Sequence, residues 1–293
     1  MDFKNANELL TLCEEQSISI SEVMRNREII TGECPAKEAD QKMVRVLEIM
    51  KEAARSPVEK PIRSMGGLIG GEAQKLAQHS ASGQGLCGEL LEKAITYAMA
   101  TLETNASMGL IVASPTAGSA GIVPGLLLAL QETHDFSDKE IQQALFNAGA
   151  VGYLAMRNAT VAGAVGGCQA EVGVASAMAA SAAVELMGGT PKQCLDAAST
   201  VLMNMLGLVC DPVGGLVEYP CQNRNAAGVA NALIAAEMSL AGIPQLIPFD
   251  EMLAAMYRVG RQLSPDLRET ALGGCAATPT GKALGCRACP CSP

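Results

Sequence analysis

Three cysteines in glycine- and proline-rich surroundings are the residues of this chain best suited to metal chemistry. They are Cys168, Cys210 and Cys221. Glycine lets a backbone approach a bulky inorganic ligand, and cysteines in loops can point several thiolates at one place. We hypothesise that the three thiolates hold an iron–sulfur cluster and leave one iron without a protein ligand. Such an iron could act as a Lewis acid on a substrate hydroxyl, whereas a cluster held by four cysteines mainly transfers electrons.

A second group of cysteines competes for the metal from the end of the chain. We interpret residues 273–293 as an irregular cysteine-rich tail, whose thiolates could form a compact cage for zinc or for a self-contained cluster. These cysteines are Cys275, Cys286, Cys289 and Cys291. On spacing alone the tail ranks above the internal trio, which matches neither common ferredoxin pattern. Chain ends are commonly mobile unless they are tied down, which counts against the tail.

A glycine-rich loop at residues 64–71 precedes a predicted helix that starts at Glu72. Its two Gly-Gly pairs expose backbone N–H groups that suit an anion, here a carboxylate, although a plain tight turn explains such a loop about as well. A nucleotide-binding phosphate loop is not indicated, because no Ser or Thr directly follows Lys75. Our candidate substrate contacts in this loop are Ser64, Met65, Gly66 and Gly67.

A second polar loop, at residues 113–125, leads into another predicted helix. It holds three hydroxyl side chains, more than the capping of one helix needs, and a helix start offers free N–H donors and a favourable dipole to an anion. Our candidate substrate contacts are Thr116, Gly118 and Ser119 in this loop, and Asn223 and Arg224 beyond the third cysteine. A structural ion pair explains an arginine beside a metal loop equally well.

The elements that must position these residues are predicted to be helices. No alternating strand pattern of convincing length occurs, and residues 5–59 predict two or three amphipathic helices that close at Ser56-Pro57. The other predicted helices start at residue 72 or span residues 89–106, 137–156 (capped by Ser137 and Glu140), 169–187, 191–206, 226–241 and 249–260. We therefore predict an all-α fold, with a helical catalytic domain over residues 1–272. Residues 1–59 form a helical N-terminal cap in this interpretation, and glycine-rich loops lie at helix ends.

Composition excludes several functional classes. The chain has 293 residues, enough for one large domain or two, and its core must use small side chains because aromatic residues make up only 3%. A net charge of −9 argues against a nucleic-acid surface. The polar, acidic N-terminus is unlike a signal peptide, and no apolar run reaches the ~20 residues of a bilayer span. We expect a cytoplasmic protein with reduced thiols that binds neither nucleic acid nor membrane.

Several long stretches of the sequence resemble the alpha chain of the bacterial iron–sulfur-dependent L-serine dehydratases. They are RSMGGLIGGEAQKL (63–76), ETNASMG (103–109), ASPTAGSAGIVPG (113–125), NAGAVGYLAMRNATVAGAVGGCQAEVG (147–173) and NMLGLVCDPVGGLVEYPCQNRNAAG (204–228). The resemblance implies a [4Fe–4S] cluster on Cys168, Cys210 and Cys221, and conversion of L-serine to pyruvate and ammonia. It also implies a helical catalytic chain that works with a separate beta chain in a hetero-oligomer.

The elimination implied by this resemblance needs a general base, and the sequence offers few candidates. The chain has only two histidines, and we expect His134, in a polar stretch, to face solvent. Lys75 and His79 lie four positions apart on one helix face and could approach the site. A base from the beta chain is an equally good interpretation, and an alkoxide bound to iron could also carry the proton.

Three other functions remain open at this point. A desulfidase or dehydratase acting on L-cysteine or another β-substituted amino acid would use the same fold and metal. A metal or redox protein would use the tail cysteines, and a purely structural helical subunit would contain no iron. If the cluster is present, a tail thiolate from Cys286, Cys289 or Cys291 could occupy the open iron until substrate arrives.

Overall fold

The computed structural model describes residues 2–288, with the side chains of residues 2–285. The described residues form fourteen α-helices and no β-strand, so the all-α prediction is confirmed. The first seven helices are α1 (Ala6–Gln16), α2 (Ile20–Thr31), α3 (Ala36–Glu59), α4 (Glu72–Ala81), α5 (Glu89–Ala106), α6 (Ile122–His134) and α7 (Asp138–Asn158). The others are α8 (Gly163–Gly166), α9 (Val174–Leu186), α10 (Pro191–Asn204), α11 (Cys221–Leu240), α12 (Phe249–Gln262), α13 (Gly274–Ala277) and α14 (Pro279–Ala288).

Helix α9 lies at the centre of the core. Every residue from Val174 to Val184 is buried, and α6, α7, α10 and α11 pack around the helix. Small residues allow this close packing: a Cβ at Gly228 of α11 would lie 2.7 Å from Ser176 Oγ of α9. Because α11 begins at Cys221, this packing also fixes one of the candidate metal ligands against the core.

Local capping signals place several helix starts where the sequence predicts them. Ser137 and Glu140 form a capping box at α7, and Thr190 and Gln193 form another at α10. In each box the hydroxyl accepts from a backbone N–H, and the longer side chain accepts from the N–H of the capping residue. These contacts satisfy backbone donors that a helix start leaves free.

Helix α3 does not close at Ser56-Pro57 but continues through Pro57 to Glu59. A proline has no N–H, so it leaves the carbonyl four positions earlier without its helical partner. Here that carbonyl belongs to Ala53, and Thr104 Oγ1 of α5 donates to it over 2.8 Å. The contact between two helices therefore replaces the hydrogen bond that the proline removes.

Helix α11 starts five residues earlier than the sequence predicts, at Cys221 instead of Ala226. The polar residues before Ala226 look like a loop, but Asn225 is buried and its amide donates to the carbonyl oxygens of Gly118 and Cys221. Because this asparagine bonds to a neighbouring loop instead of water, a polar sequence is compatible with a buried helix start.

The beginning of the predicted irregular tail is helical. Residues 274–288 contain α13 and α14, and Thr278 Oγ1 accepts from the N–H of Gly281 near the start of α14. Cys289 and Cys291 lie outside the described residues, and so does the side chain of Cys286. The division into a catalytic domain over residues 1–272 and a tail stays a prediction. None of the described helices combines the length and the apolar character needed to cross a bilayer.

Candidate metal centre

Three segments that are distant in sequence bring the predicted cysteine ligands into one buried region. Cys168 lies between α8 and a π turn, Cys210 lies in the loop after α10, and Cys221 is the first residue of α11. Their exposed fractions are 3%, 4% and 7%. Thiols that converge from separate, packed segments are held rigidly and away from water, which favours a stable metal centre.

Gly167 lets the first cysteine segment lie against the second. Its φ of 76° is in the left-handed region, and a Cβ there would lie 2.8 Å from the carbonyl oxygen of Leu208. Gln169 then joins the two segments: its N–H donates to Leu208 O over 3.0 Å, and its Oε1 accepts from the N–H of Gly207 over 2.8 Å. A side chain at position 167 would push these segments apart.

The tightest group of metal-binding atoms contains Glu171 beside two of the cysteines. The Sγ atoms of Cys168 and Cys210 and a carboxylate oxygen of Glu171 all lie within 4.8 Å of one another. The Cys210 thiol donates to Glu171 Oε2 over 3.7 Å. Cys221 is outside this group. Burial raises the pKa of Cys221 to about 12, and the negative charges of Cys168 and Glu171 raise it as well.

Cys168 is the thiol that its surroundings favour as a thiolate. A hydrogen bond from Cys210 lowers the pKa of Cys168, and the nearby Arg224 guanidinium lowers it further. The same hydrogen bond, together with burial, raises the pKa of Cys210. Because the thiolate is the form that binds metal, a metal that binds here has to displace the Cys210 proton.

Sequence reasoning missed Glu171, although its spacing from Cys168 contained the signal. Residues three positions apart lie on the same face of a helix, and the π turn at Gln169–Gly173 follows Cys168 directly. Thr116 Oγ1 donates to Glu171 Oε1 over 2.8 Å. Burial raises the pKa of Glu171. Through Glu171, the second polar loop is therefore connected to the cysteines of the candidate metal centre.

The second polar loop lies directly against Glu171. Thr116 Oγ1 and Ser119 Oγ are 3.1 Å apart, and a Cβ at Gly118 would lie 3.5 Å from Glu171 Oε1. The amide of Asn225, one turn into α11, donates to Gly118 O over 2.8 Å. The structure therefore brings the three predicted residues of this loop together with the candidate metal group.

The first glycine-rich loop is wrapped around a carboxylate of the chain itself. Ser64 Oγ donates to Glu218 Oε2 over 2.7 Å, and the N–H groups of Gly66 and Leu68 donate to Glu218 over 2.7 and 2.9 Å. Glu218 is only 2% exposed. The sequence missed it because a single acidic residue in an apolar stretch gives no periodic signal.

The other N–H groups of this loop also have partners within the chain. Met65 donates to Ala106 O, Gly67 donates to Ser64 O, and the donors at positions 69 and 70 bond to side chains. The loop binds a carboxylate, as its glycines predict, but that carboxylate is Glu218. Substrate contact through Ser64, Met65, Gly66 and Gly67 stays a prediction, and for the backbone N–H donors it requires one of these bonds to open.

Arg224 combines the two roles that the sequence left open. Its Nη1 lies 2.7 Å from Asp211 Oδ1 and donates to Val209 O over 2.8 Å, and Asp211 is 2% exposed. The same Nη1 also lies 3.7 Å from Cys168 Sγ. The half-buried Arg224 therefore forms a structural ion pair with the buried Asp211 and also contacts a candidate ligand.

Three other predicted site residues lie at the surface: Asn223, Lys75 and His79. Lys75 and His79 are on α4, and no side-chain hydrogen bond within the described part of the chain joins either one to the cysteines. His134 is exposed at the end of α6, as expected. The catalytic roles of Lys75 and His79 stay predictions.

The segment that follows α12 encloses the Cys210 loop. Cys210 N–H donates to Leu267 O over 2.9 Å, and its carbonyl accepts from the N–H of Glu269 over 2.7 Å. Further along, the N–H of Cys275 donates to Asp211 Oδ2 over 2.5 Å. The beginning of the tail is therefore bonded to the carboxylate of Asp211, the residue directly after Cys210. The predicted tail ligands Cys286, Cys289 and Cys291 have side chains outside the described part of the structure.

Comparison with known proteins gives a consistent family. A family model described as "Serine dehydratase alpha chain" matches residues 15–276. A probable L-serine dehydratase alpha chain of Bacillus subtilis is 49% identical over 96% of this chain and 94% of its own length. The L-serine dehydratase alpha chain of Peptoniphilus asaccharolyticus is 44% identical over 95% and 96%. An L-serine dehydratase of Helicobacter pylori is 37% identical over 94% of this chain but only 62% of its own length.

Proposed function

Because the chain belongs to the serine dehydratase alpha-chain family, we propose that it is the catalytic chain of an L-serine dehydratase. In this proposal it converts L-serine to pyruvate and ammonia. The observation that carries the proposal is the convergence of Cys168, Cys210 and Glu171, with Cys221 at the adjacent helix start. Two relatives that match nearly the whole chain are named as alpha chains of L-serine dehydratases.

We propose that Cys168, Cys210 and Cys221 hold a [4Fe–4S] cluster. Their burial, their origin in three segments and the Arg224 guanidinium beside Cys168 all suit thiolate ligands of such a group. When bound, the cluster would supply a Lewis acid that makes the substrate hydroxyl a better leaving group. Three thiolates would leave one iron free for that task.

Of the two loops that are candidates for binding the substrate carboxylate, we propose the second polar loop. Ser114 is 5% exposed, and its Oγ has no hydrogen-bond partner among the described residues. Because a buried hydroxyl without a partner costs free energy, a ligand that accepts from Ser114 would be favoured. Thr116 and Ser119 lie in the same loop, beside Glu171. This supports binding of the substrate carboxylate by the Ser114 hydroxyl, since the Thr116 hydroxyl already donates to Glu171.

We propose that a separate beta chain completes the enzyme and supplies the base that removes the Cα proton. Two named relatives are alpha chains, and the Helicobacter pylori enzyme extends well beyond the part that matches this chain. Lys75 and His79 are exposed on α4, where a second chain could cover them. They are alternative bases if no residue of the beta chain takes that role.

The activity test uses anaerobically purified protein, together with its beta chain, on L-serine and on L-cysteine. We expect pyruvate and ammonia in equal amounts from L-serine, and loss of that activity in the Cys168→Ser variant. Faster release of sulfide from L-cysteine would replace the proposal with a desulfidase. An iron-free protein that is inactive on both substrates would contradict the proposal and support a structural subunit.

A metal or redox protein that uses the tail cysteines makes a different prediction. In that case a triple serine variant at positions 286, 289 and 291 would lose its metal. In our proposal the same variant keeps the iron and sulfide, because the internal cysteines hold them.

A further inference from the structure

Glu171 lies beside two of the three cysteines that we propose as metal ligands. One of its carboxylate oxygens and the Sγ atoms of Cys168 and Cys210 lie within 4.8 Å of one another, whereas Cys221 is outside this group. Its two oxygens have different neighbours: Oε1 accepts from Thr116, and Oε2 faces the Cys210 thiol over 3.7 Å. One oxygen is therefore held by the second polar loop while the other points at the sulfur atoms.

This carboxyl group has no cationic partner among the described residues. Its hydrogen bonds come from one hydroxyl and one thiol, and the nearby charge that acts on it from outside the cysteine group is another carboxylate, Glu269. The guanidinium of Arg224, which lies beside Cys168, is paired with Asp211 and bonded to a carbonyl oxygen. A buried carboxylate is normally paired with a cation or bound to a metal. A bound metal ion would supply the positive charge that these surroundings lack.

We propose that Glu171 is an exchangeable ligand of the iron that the three cysteines leave open. This rests on the proposed cluster. Glu171 binds the iron through Oε2 in the absence of substrate, and the hydroxyl of L-serine takes that coordination position when substrate enters. Thiolates bind iron firmly, whereas a single carboxylate oxygen is a weaker and more replaceable ligand of a sulfur-bound iron. Thr116 keeps hold of the other oxygen, so the carboxylate moves aside without leaving the site.

This exchange replaces one ligand of the iron by another and leaves the oxidation state of the cluster unchanged. The bond from iron to the Glu171 oxygen breaks, and a bond from iron to the substrate oxygen forms. The carboxylate keeps its electron pair and its negative charge.

The test compares the wild-type protein with Glu171→Gln, and with Glu269→Gln as a control that removes the neighbouring exposed carboxylate. All three are purified anaerobically with the beta chain and with 57Fe, and Mössbauer spectra are recorded with and without L-serine. Serine binding is measured by titration of the visible spectrum. Glu171→Asp, which is one methylene shorter, serves as a second variant if the glutamine variant does not fold.

We expect equal iron and sulfide in all three proteins, because the cysteines hold the cluster. In Glu171→Gln without serine, the spectrum of one iron should change, and the spectra should converge once serine is bound. Serine should also bind more tightly, by roughly threefold or more, because no internal ligand competes with it. Glu269→Gln should leave both the spectrum and the affinity unchanged.

Three results would overturn the inference. An unchanged spectrum in Glu171→Gln without serine would show that Glu171 is not a ligand. Weaker serine binding with an unchanged spectrum would mean that Glu171 contacts the substrate ammonium group instead. A change on removal of the residues after Gly281, and none in Glu171→Gln, would assign the position to a tail thiolate. A wild-type protein without iron and sulfide would instead contradict the proposed function itself.

Discussion

Two carboxylates of this molecule lie near its candidate active site in opposite surroundings. Glu218 accepts from a hydroxyl and from two backbone N–H groups of the first glycine-rich loop. Glu171 accepts from one hydroxyl and one thiol, and it lies beside a second candidate metal ligand. A carboxylate with a full set of N–H and O–H donors holds a fold together. The half-buried carboxylate of Glu171, with few donors and next to thiols, is available to a cation.

The largest effect that this comparison predicts comes from the thiols beside Glu171. Cys168→Ser should abolish activity and remove most of the iron, because the serine hydroxyl stays protonated and is a poor ligand for iron. Iron content and visible absorbance of the anaerobically purified variant measure this. Cys87→Ser changes an exposed thiol and should keep the iron. Equal iron in the two variants would show that Cys168 is not a ligand.

Asp211 should have the next largest effect, on folding as well as on the metal. Asp211→Ala leaves the Arg224 guanidinium without its partner and frees the N–H of Cys275. Removing one member of a buried ion pair costs about 3–5 kcal/mol. Urea unfolding of the metal-free protein should show a loss of this size. A loss of less than ~1 kcal/mol would mean that the pair is effectively solvated.

Substitution of the two carboxylates should then separate their roles. Glu218→Gln places an amide NH2 among three donors and should lower the free energy of unfolding of the metal-free protein by about 2–3 kcal/mol. Glu171→Gln should change it by no more than ~0.5 kcal/mol, because few donors lose a partner. Denaturant unfolding of both metal-free variants measures the difference. Equal losses of unfolding free energy in the two variants would show that Glu218 and Glu171 do not differ in their contribution to stability.

A third carboxylate, that of Glu185, should make the free energy of unfolding depend on pH. Glu185 contacts Ser21 and Asn147, and burial raises its pKa above the ordinary value of 4.5. The folded state therefore holds this proton more tightly than the unfolded chain does. Through this group, the free energy of unfolding should fall as pH rises from 4.5 through the raised pKa.

Glu185→Gln removes that titration and provides the measurement. The stability of the variant relative to the wild type should increase as pH rises through this range, as followed by urea unfolding at several pH values. A flat profile for Glu185→Gln would show that its hydrogen bonds fully offset its burial.

The smallest expected effect is the loss of stability when one ordinary helix-capping hydrogen bond is removed. Ser137→Ala removes the capping hydroxyl at α7, far from the candidate site in sequence, and should cost about 1 kcal/mol. Thermal or urea unfolding measures it, and iron content should not change. A loss as large as that of Glu218→Gln would show that the Glu218 contacts are no stronger than a helix cap.

Helices were predictable because their signals are local. The capping boxes at Ser137 and Thr190 and the glycine-rich break before α4 mark starts that the structure confirms, whereas α6 starts at Ile122, inside the predicted loop 113–125. The helix start at Cys221 was not predictable, because it depends on Asn225 bonding to a loop about a hundred residues earlier. The helices of the tail depend in the same way on Asp211.

The candidate site was predictable only in part, for the same reason. The cysteines and the second polar loop are visible as residue types in glycine-rich sequence, and the structure brings them together around Glu171. The partner of the first loop was not visible, since it takes the folded chain to place Glu218 among those donors. A sequence shows which groups can bind an anion or a cation, but the fold decides which of them are already satisfied.

The most direct test of the central claim is the iron and acid-labile sulfide content of the anaerobically purified protein. We predict about four irons and about four sulfides per chain, with visible absorbance that L-serine perturbs. An iron-free protein would contradict this prediction. So would a single metal ion without sulfide, because the Cys168, Glu171 and Cys210 group would then be a simple metal site.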